Sequence, residues 1–391
     1  MEAPTAGPLA AEAREALGSD DIEVEPLGHT LVAAATAGIW RVRRRDRDGD
    51  DGDGPPSSAV VKVLAHAPDA AGNWPTGADI DHWGYWRREA HAYGSGLLAS
   101  LADTGGLRAP HAHLVAERPD GSVALWLEDL AGRAVVPAPD WPLARYEAAA
   151  RHLGRMQGAF VAGRRPLPTE PWLSRGWLRA YVEQRAEGLA ADRALVTDRE
   201  RWRHPLLAGH FPEPPIDGLL ALIDDQTRHL ARLDRLPPTL SHLDLHPANL
   251  FATTAADETG GTGGTGGTGG TVAIDWAYVG VAAVGEDAGS LVPDAGFDFH
   301  VDPADLDELF DLVARGYHAG LRDAGADIGA DEVRTAMATA MAAKYAWIGP
   351  ALLRAVAEGR PQLNRRPLAE GVAAWAPTVA FLLRRASELP A

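Results

Sequence analysis

Two short segments constrain the fold and the chemistry of this chain more than any other feature. Ser-His-Leu-Asp-Leu-His-Pro-Ala-Asn-Leu-Phe occupies residues 241–251, and Val-Ala-Ile-Asp-Trp occupies residues 272–276. Each contains a short apolar run typical of a strand, and together they supply Asp244, Asn249 and Asp275. ATP-dependent phosphoryl transfer needs such a set: one carboxylate to accept a hydroxyl proton, and an amide plus a second carboxylate to hold Mg²⁺.

A repeat of Thr and Gly at residues 259–271 separates the two apolar runs. It is too rich in glycine to hold structure, so we expect it to extend the tip of a hairpin. If the flanking runs pair as strands, Asn249 and Asp275 lie at the same open end of that hairpin, close enough to share a metal. The far end can then lengthen freely, because the cost of closing a loop rises slowly with its length.

Composition excludes several classes of protein. The chain has 391 residues, of which 46% are hydrophobic, enough to bury a core in two domains or lobes. It has no cysteine, which excludes disulfides, thiolate metal sites and cysteine nucleophiles. The formal charge of −17 argues against nucleic acid or an anionic membrane as partner and slightly favours a cationic ligand.

Hydropathy predicts a cytoplasmic protein. Residues 1–20 carry charged side chains and no sustained apolar core, so they do not resemble a signal peptide. No stretch approaches the roughly 20 apolar residues that cross a bilayer.

The order of the predicted elements indicates an α+β protein. Extended segments are predicted at residues 22–24, 38–42, 59–64 and 123–127, with a Gly/Asp/Pro-rich loop at 46–56. One helix is predicted at 83–98. Beyond Pro139 the pattern becomes mostly helical, including an apolar stripe from Leu306 to Leu321. Strands first and helices later predict a small sheet lobe followed by a larger helical lobe.

Segments 241–251 and 272–276 resemble the catalytic and metal-binding segments of the aminoglycoside phosphotransferase and choline kinase family, a branch of the protein-kinase-like fold. The resemblance spans roughly residues 22–350. It implies a bilobal kinase that uses ATP and Mg²⁺. Asp244 would be the catalytic base, and Asn249 and Asp275 would bind the metal and, through it, the nucleotide. The family usually has Gly or Asn where this chain has Leu243.

A lysine in an apolar strand pattern is a second candidate for nucleotide binding. Lys62 and Lys344 are the only lysines of the chain, and Lys62 lies within Ala-Val-Val-Lys-Val-Leu. Its charge would be costly there without a partner. By resemblance, Lys62 would grip the phosphates and pair with Glu89 on the helix of the first lobe.

The segment Leu-Trp-Leu-Glu-Asp-Leu at residues 125–130 resembles the connection between the lobes of such kinases. The resemblance implies that the main chain from Glu128 to Leu130 binds the adenine edge. It also places the domain boundary between residues 1–127 and 128–391. Residues 27–32 lack the G-x-G-x-x-G of protein kinases, which favours an aminoglycoside-type kinase over a protein kinase.

The remaining candidates support the catalytic loop or suggest another chemistry. By resemblance, Asp287 braces the loop through main-chain hydrogen bonds, and we expect His242 to orient it. The role of His246 is open. His242, Asp244 and His246 also form an H-x-D-x-H spacing, which on a strand would suit a metal-dependent hydrolase.

The acceptor has three candidate classes. The family resemblance suggests an amine-bearing antibiotic or another small hydroxyl compound, and the acidic charge is compatible with a cationic one. The alternatives are Ser or Thr in a peptide, as in peptide-modification pathways, and a non-catalytic nucleotide-binding module. The aromatic residues of the 164–203 segment are candidates for lining the acceptor pocket, although most are expected to serve packing. They are Trp172, Trp177, Tyr181 and Trp202.

Overall fold

The computed structural model describes residues 6–28, 35–45, 55–68, 76–131, 134–135, 141–253 and 269–390. Three predicted features fall wholly or largely outside these ranges. They are the Gly/Asp/Pro-rich loop at 46–56, the segment that follows Gly28, and most of the Thr/Gly repeat. None of the helices within the described ranges is both long and apolar enough to span a membrane.

The first part of the chain forms an antiparallel sheet covered by a helix. Its helices are α1 (Ala6–Leu17) and α2 (Arg88–Gly94). Its strands are β1 (Ile22–Pro26), β2 (Thr36–Arg44), β3 (Ser58–Leu64), β4 (Leu107–Arg108), β5 (Ala112–Glu117), β6 (Val123–Glu128) and β7 (Ala134–Val135). Five of these pair in the order β1-β2-β3-β6-β5. The four predicted strand segments lie in β1, β2, β3 and β6, so that part of the prediction is confirmed.

The predicted helix at 83–98 is too long. Helix α2 begins at Arg88 and ends at Gly94, and Gly96 takes a φ of 78°. A left-handed residue stops a helix because its backbone turns away from the helical path, and glycine adopts that conformation at no steric cost. The Gly-Ser-Gly run at 94–96 carried this signal in the sequence.

The second part of the chain is mainly helical. Its helices are α3 (Leu143–Val161), α4 (Trp177–Thr197), α5 (Pro205–Ala208), α6 (Ile216–Asp224), α7 (Gln226–Leu233), α8 (Glu286–Phe297), α9 (Leu306–Asp323), α10 (Ala330–Lys344), α11 (Ile348–Ala357) and α12 (Leu368–Ser387). Its strands are β8 (Ser174–Arg175), β9 (Pro238–Ser241), β10 (Leu250–Thr253), β11 (Thr271–Ala273), β12 (Gly280–Ala283), β13 (Gln362–Leu363) and β14 (Arg366–Pro367).

Helices α3 and α9 form the base beneath the site. They approach so closely that a Cβ on Gly154 would lie 2.3 Å from the Tyr317 carbonyl oxygen, and a Cβ on Gly320 would lie 2.1 Å from the Arg151 carbonyl oxygen. The predicted apolar stripe of α9 is buried against this core, as expected. The close contact of the two helices also lets the Tyr317 hydroxyl donate to Gln157 Oε1, while Gln157 Nε2 donates to Asp287.

Strands β10 and β11 form the predicted hairpin. They pair antiparallel, with Leu250 opposite Ala273, and the Ile274 N–H donates to the Asn249 carbonyl at 2.9 Å. This register places Asn249 and the residue after Ile274 at the open end. Strand β4 pairs with β11, so a strand from before the predicted domain boundary joins a sheet beyond it. The boundary at 127/128 stays a prediction.

Candidate active site

One carboxylate accepts hydrogen bonds from the main chain of the loop between β9 and β10. Asp287, near the start of α8, accepts the main-chain N–H of His242 and that of Leu243, each at 2.8 Å. Gln157 Nε2 donates to the same carboxylate at 2.9 Å. Burial raises the pKa of Asp287, while His242 and the two main-chain donors oppose that rise. The structure thus places Asp287 where a bracing residue would lie.

Leu243 adopts a conformation that leucine rarely takes. Its φ is 69°, in the left-handed region, which costs a residue with a Cβ roughly 1–2 kcal/mol. The side chain is buried beside Trp177, Leu178 and Ala340. Packing therefore holds a leucine in a conformation that glycine or asparagine adopts more readily, and the loop keeps its turn.

His242 connects the loop to the segment that carries Asp275. Its Nδ1 accepts the Asp244 N–H at 3.3 Å, and its Nε2 lies 2.8 Å from the Ile274 carbonyl oxygen, to which it donates. Burial lowers the pKa of His242, which favours this neutral ring. Because both nitrogens are engaged, His242 is a poor metal ligand. Among the described residues, no group of three or more His, Cys, Asp and Glu side chains is arranged to hold a metal.

Asp244 and Asn249 lie on the cleft side of the same loop. Asn249 Nδ2 donates to the Asp244 carbonyl at 3.0 Å, which leaves the amide oxygen as the ligand atom of that side chain. Burial raises the pKa of the Asp244 carboxyl, while His246 and Lys344 oppose the rise. Asp244, His246 and Asn249 all line one cavity.

Lys62, on strand β3, forms an ion pair with Asp275, the candidate metal ligand. Its Nζ lies 2.7 Å from Glu89 Oε2 and 2.7 Å from Asp275 Oδ1. Burial disfavours the ammonium form, yet the two carboxylates hold the pKa of Lys62 above its usual value. Burial alone would raise the pKa of Asp275, but the charge of Lys62 outweighs it and lowers that pKa. The structure therefore brings Lys62, Glu89 and Asp275 together.

Asp275 is also conformationally unusual, since its φ is 62°. A non-glycine residue in this region is costly and persists where the surroundings fix it, most often at functional sites. Here the Lys62 ion pair fixes the side chain, and the bond between the Ile274 N–H and Asn249 fixes the preceding main chain.

The predicted adenine-binding residues lie at the end of β6 and just after it. The Glu128 carboxylate accepts two hydrogen bonds from Arg108, at 2.7 and 3.1 Å, and one from the His111 N–H at 3.1 Å. Its side chain is thus engaged within the protein, and Leu130 is buried. A main-chain contact of Glu128 to Leu130 with adenine stays a prediction.

The cleft between the two parts has a volume of about 1020 Å³. Lys62, Asp244, Asn249 and Asp275 line it together. The sequence interpretation missed Lys344, which lines the same cavity from the end of α10. Its Nζ donates to Ser290 Oγ at 3.0 Å and lies 3.7 Å from Asp294 Oδ2. The sequence did contain a signal for this residue, because Lys344 lies within the apolar run Met-Ala-Ala-Lys-Tyr-Ala-Trp, where a charge needs a partner.

The aromatic residues of the 164–203 segment divide into two groups. Trp177 and Tyr181, on α4, line the cleft. Trp172 and Trp202 are buried in the main core, as packing residues.

Comparisons with known proteins identify the fold. No family model matches the chain, and no curated protein matches it in sequence. An amicoumacin kinase in complex with AMP-PNP, Ca²⁺ and Ami matches the structure with a TM-score of 0.53 and 14% identity, over 92% of this chain and 88% of that one. A choline kinase from Cryptosporidium parvum matches with a TM-score of 0.52 and 12% identity, over 98% and 96%.

A putative aminoglycoside phosphotransferase from Ralstonia eutropha matches with a TM-score of 0.51 and 13% identity, over 98% of each chain. At such low identity the likeness establishes the architecture. The chain has the bilobal protein-kinase-like fold of these small-molecule kinases, as its sequence predicted.

Proposed function

We propose that this protein is a kinase that transfers the γ-phosphate of ATP to a hydroxyl group of a small molecule. The observation that carries the proposal is the convergence of Lys62, Asp244, Asn249 and Asp275 on one cleft. Lys62 lies on β3, Asp244 and Asn249 lie in the loop before β10, and Asp275 lies two residues after the end of β11. A shared cleft is what phosphoryl transfer requires, because it depends on positioning and charge neutralisation.

Asn249 and Asp275 fit a Mg²⁺ ion. An amide oxygen and a carboxylate are hard oxygen ligands, and two protein ligands leave room for phosphates and water around the ion. When bound, the ion would neutralise charge on the phosphates. Lys62 would hold the same phosphates, while Glu89 keeps its ammonium in place.

Asp244 is the proposed base. It accepts the proton of the acceptor hydroxyl as that oxygen attacks the γ-phosphorus; the bond from the γ-phosphorus to the bridging oxygen then breaks, and ADP leaves with the electron pair. The raised pKa of Asp244 suits a proton acceptor. Asp287 and His242 act through the loop, whose main chain they hold. We expect the reaction in the cytoplasm, where ATP is supplied.

The walls of the cleft favour a small acceptor over a peptide. Aromatic side chains from α4, α8 and α12 and from the segment between α10 and α11 line its inner part. A concave, aromatic-lined cleft of about this size is typical of a small-molecule site. The sequence resemblance suggested an amine-bearing antibiotic or another small hydroxyl compound as the acceptor.

The test is a pair of variants assayed for two properties. Asp244→Ala should abolish phosphate transfer in an ATP-consumption screen of hydroxyl compounds, while AMP-PNP binding with Mg²⁺ survives. Lys62→Ala should weaken that binding. Asp331→Ala, at an exposed position on α10, serves as the matched control and should change neither property.

Three outcomes separate the candidate functions. Turnover with small hydroxyl compounds supports the proposal, whereas turnover with peptides alone would make the protein a peptide kinase. Nucleotide binding without any turnover would make it a binding module. Retained turnover in Asp244→Ala would end the assignment of the base.

A further inference from the structure

A buried arginine begins helix α2. The side chain of Arg88 is only 1% exposed, and within the ranges that the structure describes its guanidinium forms no ion pair with a carboxylate. It donates instead to main-chain carbonyl oxygens. Nε donates to Trp172 at 2.8 Å, Nη1 to Trp83 at 2.7 Å and to Ala277 at 3.2 Å, and Nη2 to His82 at 2.8 Å.

A guanidinium without a carboxylate partner is a costly group to bury. Burial lowers the pKa of Arg88 to about 10, so the side chain is still charged at neutral pH. An apolar side chain would fill the same space at a lower desolvation cost. It would lack the rigid, planar set of N–H donors with which a guanidinium holds several carbonyl groups in one arrangement. What Arg88 supplies here is therefore geometry.

The four carbonyl groups belong to three segments of the chain. Two of them precede α2, whereas Trp172 precedes β8 and Ala277 lies between β11 and β12. Arg88 thus connects the first part of the chain to two segments of the second part. The ring of Tyr278 also stacks on that of Trp83, with the ring centres 5.8 Å apart, so the segment after β11 is held to the segment before α2 by two contacts.

The segment after β11 carries Asp275, whose φ of 62° requires restraint from its surroundings. The main chain before it is fixed by the hydrogen bond to the Asn249 carbonyl, and its side chain is fixed by Lys62. The bond from Arg88 to the Ala277 carbonyl restrains the main chain on the other side, two residues after Asp275. Arg88 therefore completes the set of contacts that hold this residue.

Two adjacent residues of α2 reach Asp275 by different routes. Glu89 contacts Lys62, which contacts the Asp275 side chain. Arg88 acts on the main chain through Ala277, a residue that lines the cleft. The start of α2 is thus linked to both the side chain and the backbone of the candidate metal ligand.

We propose that Arg88 is a positioning residue for the metal site, because it holds the main chain after Asp275 and so sets the place of the Asp275 carboxylate. The inference rests on the proposed kinase function and adds to it a residue outside the cleft lining. A metal ligand binds its ion well only when the groups behind it hold it in the right orientation, so loss of such a group weakens metal binding.

The experiment measures how AMP-PNP binding to the full-length protein depends on Mg²⁺. Calorimetric titrations of AMP-PNP at a series of Mg²⁺ concentrations give the concentration at which half of the metal-dependent gain in affinity is reached. Arg88→Gln should raise that concentration about 10-fold or more, as expected for loss of a group that orients a metal ligand. AMP-PNP affinity in the absence of Mg²⁺ should change little, whereas a general structural defect would lower the affinity under both conditions.

A matched control separates this effect from lost stability. Arg118 is another largely buried arginine of the first lobe, and it pairs with Glu12 of α1. Arg118→Met should unfold at a lower urea concentration than the wild type and keep the wild-type dependence on Mg²⁺. Arg88→Lys serves as a second variant. It keeps the charge, but one ammonium cannot span the acceptors that a planar guanidinium reaches, so it should shift the Mg²⁺ dependence in the same direction as Arg88→Gln.

A double variant assigns the effect to Asp275. Two residues that act through one another are not additive. Once Asp275→Asn has removed the carboxylate, Arg88→Gln should add little to the shift in Mg²⁺ dependence that Asp275→Asn causes alone.

Several results would overturn the inference. They are an unchanged Mg²⁺ dependence in both Arg88 variants, equal losses of AMP-PNP affinity with and without Mg²⁺, an equal shift in Arg118→Met, or a fully additive effect with Asp275→Asn. Failure of both Arg88 variants to fold would give Arg88 a purely structural role and would overturn it too. In each case the kinase proposal stands if the wild-type protein binds AMP-PNP with Mg²⁺. If the wild type does not, both proposals fail.

Discussion

Leu243 donates its main-chain N–H to Asp287 Oδ1 at 2.8 Å while its own backbone has a φ of 69°. The carboxylate thus holds a leucine in a conformation suited to glycine. The buried leucine side chain and the strained leucine backbone therefore act in opposite directions on the stability of the loop between β9 and β10.

At Leu243 the glycine variant should be more stable than the alanine variant, which is the reverse of the usual order of stability. Elsewhere in a regular element, glycine is about 0.5–1 kcal/mol less stable than alanine. At Leu243 both variants lose the buried side chain, but only glycine relieves the backbone, so Leu243→Gly should be about 1 kcal/mol more stable than Leu243→Ala. Urea unfolding measures the difference. The control is the buried strand residue Leu240, where the alanine variant should be the more stable one. If alanine is also more stable than glycine at Leu243, the strain argument is contradicted.

Removing the ammonium of Lys62 should destabilise the protein strongly. Lys62→Met leaves Glu89 and Asp275 without their cation, and breaking a buried pair costs about 3–5 kcal/mol. Adding Glu89→Gln should recover part of that loss, because one of the two uncompensated carboxylates is then neutral. Unfolding of the single and double variants in urea at neutral pH tests this. Arg43→Met, which breaks an exposed pair with Glu25 on the same sheet, should cost less than about 1 kcal/mol.

Asn249 should set the dependence of nucleotide binding on Mg²⁺. Asn249→Ala removes the amide oxygen and should weaken AMP-PNP binding about 10-fold or more with Mg²⁺ present, but not in its absence. Asn249→Asp restores an oxygen ligand and should recover much of the metal-dependent affinity. The aspartate variant also lacks the Nδ2 amide that donates a hydrogen bond to the Asp244 main-chain carbonyl. Equal losses with and without the ion would remove Asn249 from the metal site.

The stability of the protein should fall as the pH rises toward neutrality because of Glu286. Burial raises the pKa of this carboxyl to about 7, and its Oε1 accepts the Ala283 N–H at 2.9 Å. The folded state thus holds the proton more tightly than the unfolded state, whose glutamate has a pKa of about 4.3. The resulting stabilisation is complete below the unfolded pKa and is lost as the pH rises through about 7.

Glu286→Gln keeps an oxygen acceptor and carries no charge, so it should flatten this dependence. Between pH 5 and 8 the wild-type protein should lose on the order of 2 kcal/mol relative to the variant. Melting temperatures across that range provide the measurement. Glu370→Gln, at an exposed position on α12, should leave the wild-type slope in place, and parallel curves for wild type and Glu286→Gln would refute the assignment.

The sequence predicted the parts of the site that depend on short distances along the chain. Asp244 and Asn249 share one loop, and the pairing of β10 with β11 places Asp275 opposite them, so motif and hairpin pattern were sufficient. The length of α2 was overestimated because its apolar spacing was given more weight than the glycine at position 96.

The wall of the cleft could not be predicted in the same way. Lys344 and Arg365 reach the cavity from α10 and from the β13–β14 turn, elements that meet Asp244 only through the packing of the helical lobe. Nothing in local spacing indicates which face of α10 turns toward the cleft. The net charge of the chain, which slightly favoured a cationic ligand, gave no information about which charged side chains line this wall.

The scarcity of lysine has a practical consequence. All other basic side chains of the chain besides histidine are arginines, so its only ε-amines, those of Lys62 and Lys344, lie in the cleft. Acylating reagents need an unprotonated amine, and nearby carboxylates hold the pKa of both buried lysines above its usual value, so the folded protein should resist labelling at either position. Peptide mapping after such treatment should therefore find acylation of Lys62 or Lys344 only in molecules whose cleft has opened or unfolded, which makes the two amines reporters of the integrity of the site.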